Sequence, residues 1–211
     1  MFKNRGEAGK KLGEKILETL EADQIEGEKI VLGIPRGGVV TGKEIARKLE
    51  APLDIIITKK IGAPSNPELA IGAVGPGGEE VIDEKLAKRV GADDDYINNQ
   101  KSIIKNEIER REKELRGEKP QPDFKNKVVI LTDDGVATGA TMLAAIEVLR
   151  QYHPKKIIVA VPVIARDTLG KIEKQADAVI YLKAPLMFFA VGQFYQDFPQ
   201  TSDQEVEELL K

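Results

Sequence analysis

The segment KVVILTDDGVATGAT, residues 127–141, decides the fold. It begins with a run of apolar and β-branched residues that is typical of a buried strand and ends in two carboxylates, Asp133 and Asp134. A loop of glycines and threonines follows and opens a predicted helix over 139–152. A strand followed by a loop and a helix is the unit from which parallel sheets are built.

The same pattern extends on both sides of this segment. Further strands are predicted at 29–34, 52–60, 155–164 and 178–182, and further helices at 4–22, 39–49 and 167–176. Near-continuous apolar strands separated by helices predict the α/β class, with a doubly wound parallel sheet covered on both faces. In such a sheet ligands bind beyond the carboxyl ends of the strands, so the loops after 34, 60, 132 and 164 are the expected functional loops.

A length of 211 residues suits a single domain, 1–211. We expect its core over 27–183, with an insertion at 61–122. A C-terminal hood is expected over 184–211, together with the N-terminal helix of 1–26.

The insertion combines two patterns. Glycines and prolines surround a predicted hairpin, whose strands are 70–74 and 79–82. A long polar helix is predicted at 93–116, and its narrow apolar stripe predicts that it lies on a surface and forms no core.

The composition excludes several classes of protein. The 32 basic and 35 acidic residues nearly balance, which argues against general nucleic-acid binding. There is no cysteine for disulfide or thiol chemistry, and His153 is the only histidine. No apolar run is long enough to span a membrane, and the first residues lack the apolar region of a signal peptide. We therefore expect a cytoplasmic protein without nucleic-acid or membrane partners.

The loop after Asp133 and Asp134 has the chemistry of a sugar-phosphate site. Exposed amides and hydroxyls at a helix N-terminus suit a monophosphate. The preceding carboxylates can accept hydrogen bonds from vicinal hydroxyls or attract a divalent cation. The alternative is an ordinary strand-turn-helix connection with Asp134 as a cap, but two adjacent acids at the end of a buried strand are costly without a ligand.

A second loop, IPRGG at 34–38, has paired glycines and an arginine that suit an anion. Taken alone it is also an ordinary turn between a strand and a helix. The residues from Gly37 to Lys43 match the spacing of a nucleotide-binding P-loop, but Glu44 stands where a magnesium-binding Ser or Thr is needed. A nucleotide hydrolase is therefore a distant alternative.

Three motifs together resemble the type I phosphoribosyltransferases. VILTDDGVATGAT is similar to their thirteen-residue signature, IPRGG to their pyrophosphate loop, and TKKIGAP to the start of their mobile catalytic loop. The resemblance covers about residues 27–183 and departs from the usual signature at Thr132 and Gly135, where no binding group is lost. Including NPELAIGAV and AVGQFYQDF, the whole chain resembles a poorly characterised bacterial and archaeal branch of that family.

The resemblance implies roles for named residues. Asp133 and Asp134 would hold the ribose hydroxyls of phosphoribosyl pyrophosphate (PRPP), and Lys59 and Lys60 would neutralise the leaving pyrophosphate; these four are the catalytic candidates. The ribose 5-phosphate would be bound by Asp133, Asp134, Gly135, Ala137, Thr138, Gly139, Ala140 and Thr141. The pyrophosphate would be bound by Arg36, Gly37, Gly38, Lys59 and Lys60. Mg²⁺ would bridge substrate oxygens, and no residue is assigned as its ligand.

Aromatic residues are concentrated in the expected hood, where the family binds its acceptor. Five of the ten aromatic residues lie between 188 and 198. Phe189, Phe194 and Tyr195 are the candidates for stacking on the acceptor. The alternative is that these rings close the core.

The resemblance implies a Mg²⁺-dependent transfer of ribose 5-phosphate from PRPP to a nitrogenous acceptor, expected to be a nucleobase, within nucleotide and nucleoside metabolism. The acceptor itself is not identified by the sequence. The alternative is a non-catalytic regulator of the same fold that senses PRPP. Homodimers are common among relatives and compatible with this chain.

Overall fold

The computed structural model describes all 211 residues. Its helices are α1 (Arg5–Ala22), α2 (Gly37–Leu49), α3 (Glu84–Arg89), α4 (Asp94–Arg116), α5 (Ala140–Gln151), α6 (Arg166–Ile172) and α7 (Asp203–Leu210). Its strands are β1 (Lys29–Gly33), β2 (Leu53–Ile55), β3 (Lys59–Ala63), β4 (Asn66–Val74), β5 (Glu80–Ile82), β6 (Val128–Thr132), β7 (Lys156–Val163) and β8 (Ala178–Lys183). None of the helices is long and apolar enough to span a bilayer.

Five parallel strands form the main sheet in the order β2-β1-β6-β7-β8, which confirms the predicted fold class. The chain winds outward from β1 to β2 and later returns to the other side of β1 with β6. The winding direction therefore reverses between β1 and β6. Gly33 at the end of β1 pairs with Thr132 at the end of β6, so the loops that follow these two strands begin side by side.

Apolar side chains cover both faces of this sheet. One cluster of 18 buried residues joins β6 and β7 to α5 and α6 and includes Ile146 and Leu169. A second cluster of 11 joins the opposite face to α1 and α2 and includes Leu12 and Ile45. Helices on both faces explain why these strands are continuously apolar in sequence.

The predicted strand 52–60 is wrong as a single element. Its first part is β2, and the chain leaves the parallel sheet after the amide of Ile56 donates to the carbonyl of Gly33. Its last residues begin β3, which belongs to a separate antiparallel sheet, β3-β4-β5. The apolar residues are continuous across the break, so the pattern alone could not show it.

The long helix α4 is not the surface helix that its narrow stripe predicted. Ile104 and Ile108 are buried in a cluster with Ile61 and Ile71 of the antiparallel sheet. Leu115 is buried in another cluster with Val206 of α7. A three-stranded sheet has no core of its own, so a few large side chains from one helix are enough to cover it.

The C-terminal segment returns across the carboxyl edge of the main sheet. The amide of Phe2 donates to the carbonyl of Phe194, and Tyr195 is buried beside Phe2. Beyond this crossing lies α7, which the sequence analysis did not identify. Its N-cap is Ser202, whose hydroxyl accepts the amide of Glu205, and it packs against α2 and α4.

Candidate functional site

Two loops meet where the winding of the sheet reverses. The amide of Ile34 donates to the carbonyl of Thr132 at 2.9 Å. A Cβ atom on Gly38 would lie 2.8 Å from the Cα atom of Asp133, so only glycine allows this approach. The peptide bond between Pro35 and Arg36 is cis. The structure therefore brings the predicted pyrophosphate loop against the two predicted carboxylates.

Asp133 is held inside this junction. Its Oδ1 accepts the backbone amide of Asp134 at 2.8 Å. Burial raises the pKa of Asp133 well above its usual range, and the neighbouring charge of Asp134 raises that pKa further.

The negative charge of Asp134 is balanced by an ion pair. Its Oδ2 lies 2.7 Å from Nε of Arg5, at the start of α1. The hydroxyl of Tyr195 donates to its backbone carbonyl. No protein group donates a hydrogen bond to its Oδ1. Sequence reasoning did not find Arg5, because nothing in the pattern links two residues that lie 129 positions apart.

The predicted phosphate loop is fixed at its base and open at its tip. The amide of Val136 donates to the carbonyl of Val163, and the hydroxyl of Thr168 donates to the carbonyl of Ala137 at 2.6 Å. Gly139 has φ of +79° and stands at the N-cap of α5. The exposed residues of the loop are Ala137, Thr138, Ala140 and Thr141. The loop thus offers hydroxyls and the free amides of a helix N-terminus to an anion.

A cleft of about 970 Å³ lies between the start of α5 and the antiparallel sheet. Thr138 and Thr141 line it on one side, and Lys60 and Glu68 line it on the other. The structure therefore brings predicted phosphate-binding and pyrophosphate-binding residues to one cavity. Asp133 and Asp134 do not line it and lie at the adjacent loop junction.

The two candidate lysines of β3 pair with different acidic residues. Lys60 pairs in register with Ala73 of β4, which pairs with Val81 of β5, and all three line the cleft. Its Nζ lies 2.9 Å from Oε2 of Glu68. Lys59 also lines the cleft, but its ammonium group pairs with Glu107 of α4.

Arg36 stands at the rim of the loop junction. Its side chain is 44% exposed, and its nearest acidic partner is Asp203, at 3.7 Å. That distance is too long for a hydrogen bond, and Asp203 is already engaged by both terminal nitrogens of Arg111 at 2.9 Å. The guanidinium of Arg36 therefore has donors free for an anion.

The three candidate aromatic residues have different environments. Tyr195 is only 5% exposed, because its ring lies between those of Phe2 and Phe198. Phe194 packs on Phe188 with ring centroids 5.1 Å apart. Phe189 is 83% exposed and is the one candidate ring that stands free.

The fold is an α/β domain whose switch point brings two loops together, with the exposed Arg36 and the free amides at the start of α5 nearby. A family model described as a phosphoribosyl transferase domain matches residues 3–199. The chain belongs to the phosphoribosyl transferase domain family.

Similar proteins agree with this membership. The chain is 37% identical over 213 aligned residues to the "Putative phosphoribosyl transferase" of two Mycobacterium tuberculosis strains, H37Rv and CDC 1551. All of this chain is aligned, but it spans only 46% of the length of those relatives.

Solved structures show the same fold. TT1426 from Thermus thermophilus is 40% identical, with a TM-score of 0.89, and the match covers 99% of this chain and 97% of that one. AQ2163 from Aquifex aeolicus is 13% identical with a TM-score of 0.50, covering 98% of this chain and 84% of that one. The second likeness is one of fold alone.

Proposed function

We propose that this chain is a Mg²⁺-dependent phosphoribosyltransferase. It transfers ribose 5-phosphate from PRPP to a nitrogenous acceptor, expected to be a nucleobase, and releases pyrophosphate. The observation that carries the proposal is the shared cleft, where the open loop at Thr138–Thr141 faces Lys60 across a cavity next to the apposed loops of Asp134 and Gly37.

The proposed binding mode follows from these positions. The 5-phosphate accepts hydrogen bonds from the amides at the start of α5 and from the hydroxyls of Thr138 and Thr141. The ribose hydroxyls donate to carboxylate oxygen at the loop junction, where Oδ1 of Asp134 has no protein partner. The pyrophosphate lies beside Gly37 and Gly38 within reach of the exposed Arg36.

The reaction needs no nucleophile from the enzyme. Departure of pyrophosphate leaves an oxocarbenium-like centre at the anomeric carbon, which the acceptor nitrogen attacks. The protein must therefore stabilise the negative charge that grows on the leaving group, and Arg36 and Lys60 are the cations placed to do so. Lys59, which also lines the cleft, stays a candidate for the same role, although its ammonium group is paired with Glu107.

Magnesium fits this site as an ion that arrives bound to the substrate. The structure has no group of three or more acidic or histidine side chains that could hold a metal. Asp133 is half-buried with a raised pKa and Asp134 is paired with Arg5, so PRPP oxygens are the better ligands. When bound, the ion supplies positive charge to the pyrophosphate.

The hairpin of β3 and β4 is the proposed cover of the site. The segment TKKIGAP resembles the start of the family's mobile catalytic loop, and here it enters a hairpin that carries Lys60 over the cleft. Movement of the hairpin toward α5 would exclude water and bring Lys60 toward the pyrophosphate. A cytoplasmic location and a homodimer stay predictions from the sequence.

The first test is a calorimetric titration of the protein with PRPP, with and without Mg²⁺. We expect Mg²⁺-dependent binding in the wild type and none in the double variant Asp133→Asn with Asp134→Asn, because neutral amides replace the acceptors of the ribose diol. Unchanged affinity in that variant would falsify the ribose site.

A circular dichroism spectrum and a melting curve of the double variant form the control, since the substitution must leave the fold intact. Release of pyrophosphate, screened across purines, pyrimidines and small amines, then separates an enzyme from a sensor of PRPP. A protein that binds PRPP but turns over no acceptor would favour the sensor.

A further inference from the structure

Four distant parts of the chain converge on one ion pair at the loop junction. Arg5 comes from the start of α1 and Asp134 from the loop after β6. Gly37 of the pyrophosphate loop packs against both, and Tyr195 of the C-terminal segment donates to the carbonyl of Asp134. We infer that Arg5 is a positioning residue that holds Asp134 ready for the ribose hydroxyls of PRPP, an inference that rests on the proposed function.

Arg5 is itself held rigidly. Besides Asp134, it donates from Nη1 to the carbonyl of Pro199 at 2.7 Å. Its guanidinium lies 3.7 Å from the ring centroid of Phe198. Its side chain is 11% exposed, and that of Asp134 is 14% exposed. Contacts on two edges and one face fix a planar guanidinium in a single orientation.

The two oxygens of the Asp134 carboxylate have different partners. Oδ2 is bound by Nε of Arg5, so the plane of the group is set. Oδ1 accepts nothing from the protein and remains available to a hydroxyl donor. A carboxylate held in this way loses no side-chain entropy when the ribose binds.

Arg5 also supplies the positive charge at a crowded acidic site. The titratable groups around Asp133 are Asp134, Arg5 and the phenol of Tyr195. Burial and the charge of Asp134 raise the pKa of Asp133, and Arg5 opposes that rise. Without Arg5 the pKa of Asp133 would rise further, and a protonated carboxyl group accepts fewer hydrogen bonds from a diol.

The pyrophosphate loop depends on the same pair. A Cβ atom on Gly37 would lie 1.9 Å from Oδ2 of Asp134 and 3.1 Å from Nε of Arg5. The backbone of this loop therefore packs directly against the ion pair. Arg5 lies outside both motifs, yet it connects the expected ribose and pyrophosphate subsites.

The test compares Arg5→Gln, Arg5→Lys and wild type in calorimetric titrations with PRPP and Mg²⁺ between pH 6 and pH 8. We expect Arg5→Gln to weaken binding about 10-fold or more, with Arg5→Lys in between. The loss in Arg5→Gln should grow as the pH falls, because Arg5 no longer opposes the raised pKa of Asp133 and a protonated carboxyl group accepts fewer hydrogen bonds. Lys11→Met, which removes an exposed surface pair with Glu7 on the same helix, is the matched control and should bind as wild type does.

Each outcome decides a different point. If wild type binds PRPP and Arg5→Gln has the same affinity and pH profile, the role of Arg5 is overturned and the proposed function stands. If wild type itself does not bind, the proposed function fails and this inference fails with it. Should Arg5→Gln not fold, Arg5→Lys decides: weaker binding by a folded protein supports the role, and wild-type affinity overturns it.

Discussion

At the residue scale, the neighbouring acids Asp133 and Asp134 show how one backbone step separates two environments. Asp133 turns into the protein and meets the backbone of Gly38. Asp134 turns toward α1 and meets Arg5. Burial raises the pKa of Asp133, whereas the charge of Asp134 is balanced by its ion pair with Arg5. A buried acid that costs stability is typical of a site kept for a ligand.

The single variant Asp133→Asn should therefore be more stable than wild type at neutral pH. A group whose pKa is raised on folding stabilises the fold below its unfolded pKa of about 3.9 and loses that contribution as the pH rises through the folded value. The amide has no charge to bury, so its advantage should grow from pH 4 to pH 8. Urea unfolding across that range measures it.

A free energy of unfolding that stays equal in the two proteins at every pH would mean that Asp133 ionises in the fold at no cost. Asp167→Asn is the control, since this acid lies exposed in the first turn of α6 and its removal should give no such trend.

Sequence reasoning identified much of the loop junction and missed its cation. The carboxylates stand at the end of an apolar strand, and Gly37 and Gly38 follow another, so local pattern was sufficient for both. Arg5 looks like any polar residue at the start of an amphipathic helix. Its role arises only when the C-terminal segment brings Pro199 and Phe198 around it.

At the element scale, the alternation of side chains along β3 separates two lysines that are neighbours in sequence. Lys60 shares a face with Ala73 and Val81 over the cleft, whereas the ammonium group of Lys59 pairs with Glu107 of α4. The sequence analysis could not separate them, because it placed both at the end of a strand in the main sheet. The bend after Ile56 creates the difference.

Lys60→Ala should slow turnover much more than Lys59→Ala. Lys60 faces the cleft where the leaving group forms, and its charge acts mainly in the transition state, so kcat should fall further than KM rises. Steady-state kinetics of pyrophosphate release, with the acceptor that the screen identifies, provide the comparison. The matched pair lies on one strand, so each variant serves as the control for the other.

Equal losses in the two variants would show that the hairpin turns or shifts on binding enough to bring both lysines to the substrate. If both variants changed only KM, and by equal amounts, the two lysines would bind PRPP without acting in the transition state.

The strand-helix repeats of the main sheet were predictable because each one satisfies a local pattern. The helices α3 and α7 were not, since each is short and contains few apolar residues: α3 has six residues in all and α7 has eight. Their stability comes from caps at Asp83 and Ser202 and from packing on distant elements.

At the scale of the whole molecule, α7 fastens the C-terminal segment to the opposite side of the domain. The segment leaves β8 at one edge of the sheet, crosses the loop junction, and ends on α2 and α4 near the other edge. Val206 is fully buried there with Val39 and Leu115. The C-terminal segment is thus held at both ends.

Val206→Ala should lower the free energy of unfolding by about 2 kcal/mol, the cost of removing two buried methyl groups with little room for collapse. Urea or thermal unfolding measures the loss. Affinity for PRPP should be unchanged well below the melting temperature, because no group at the site is altered.

Glu207→Ala, on the exposed face of the same helix, should change the stability by less than about 0.5 kcal/mol. A loss as large as that of Val206→Ala would mean that exposed contacts of α7, such as that of Glu207 with Lys211, matter as much as burial.

The contact between Phe2 and Tyr195 has a consequence for the order in which the protein is made. At about 5–20 residues per second, the ribosome needs about 10–40 s to synthesise the chain between these two residues. Arg5 leaves the ribosome long before the ring of Phe198 and the carbonyl of Pro199, which hold it; Pro199 follows Arg5 by 194 positions. A nascent chain can therefore form much of its sheet first, yet the pairing of Arg5 with Asp134 gains this support only after Pro199 has been added.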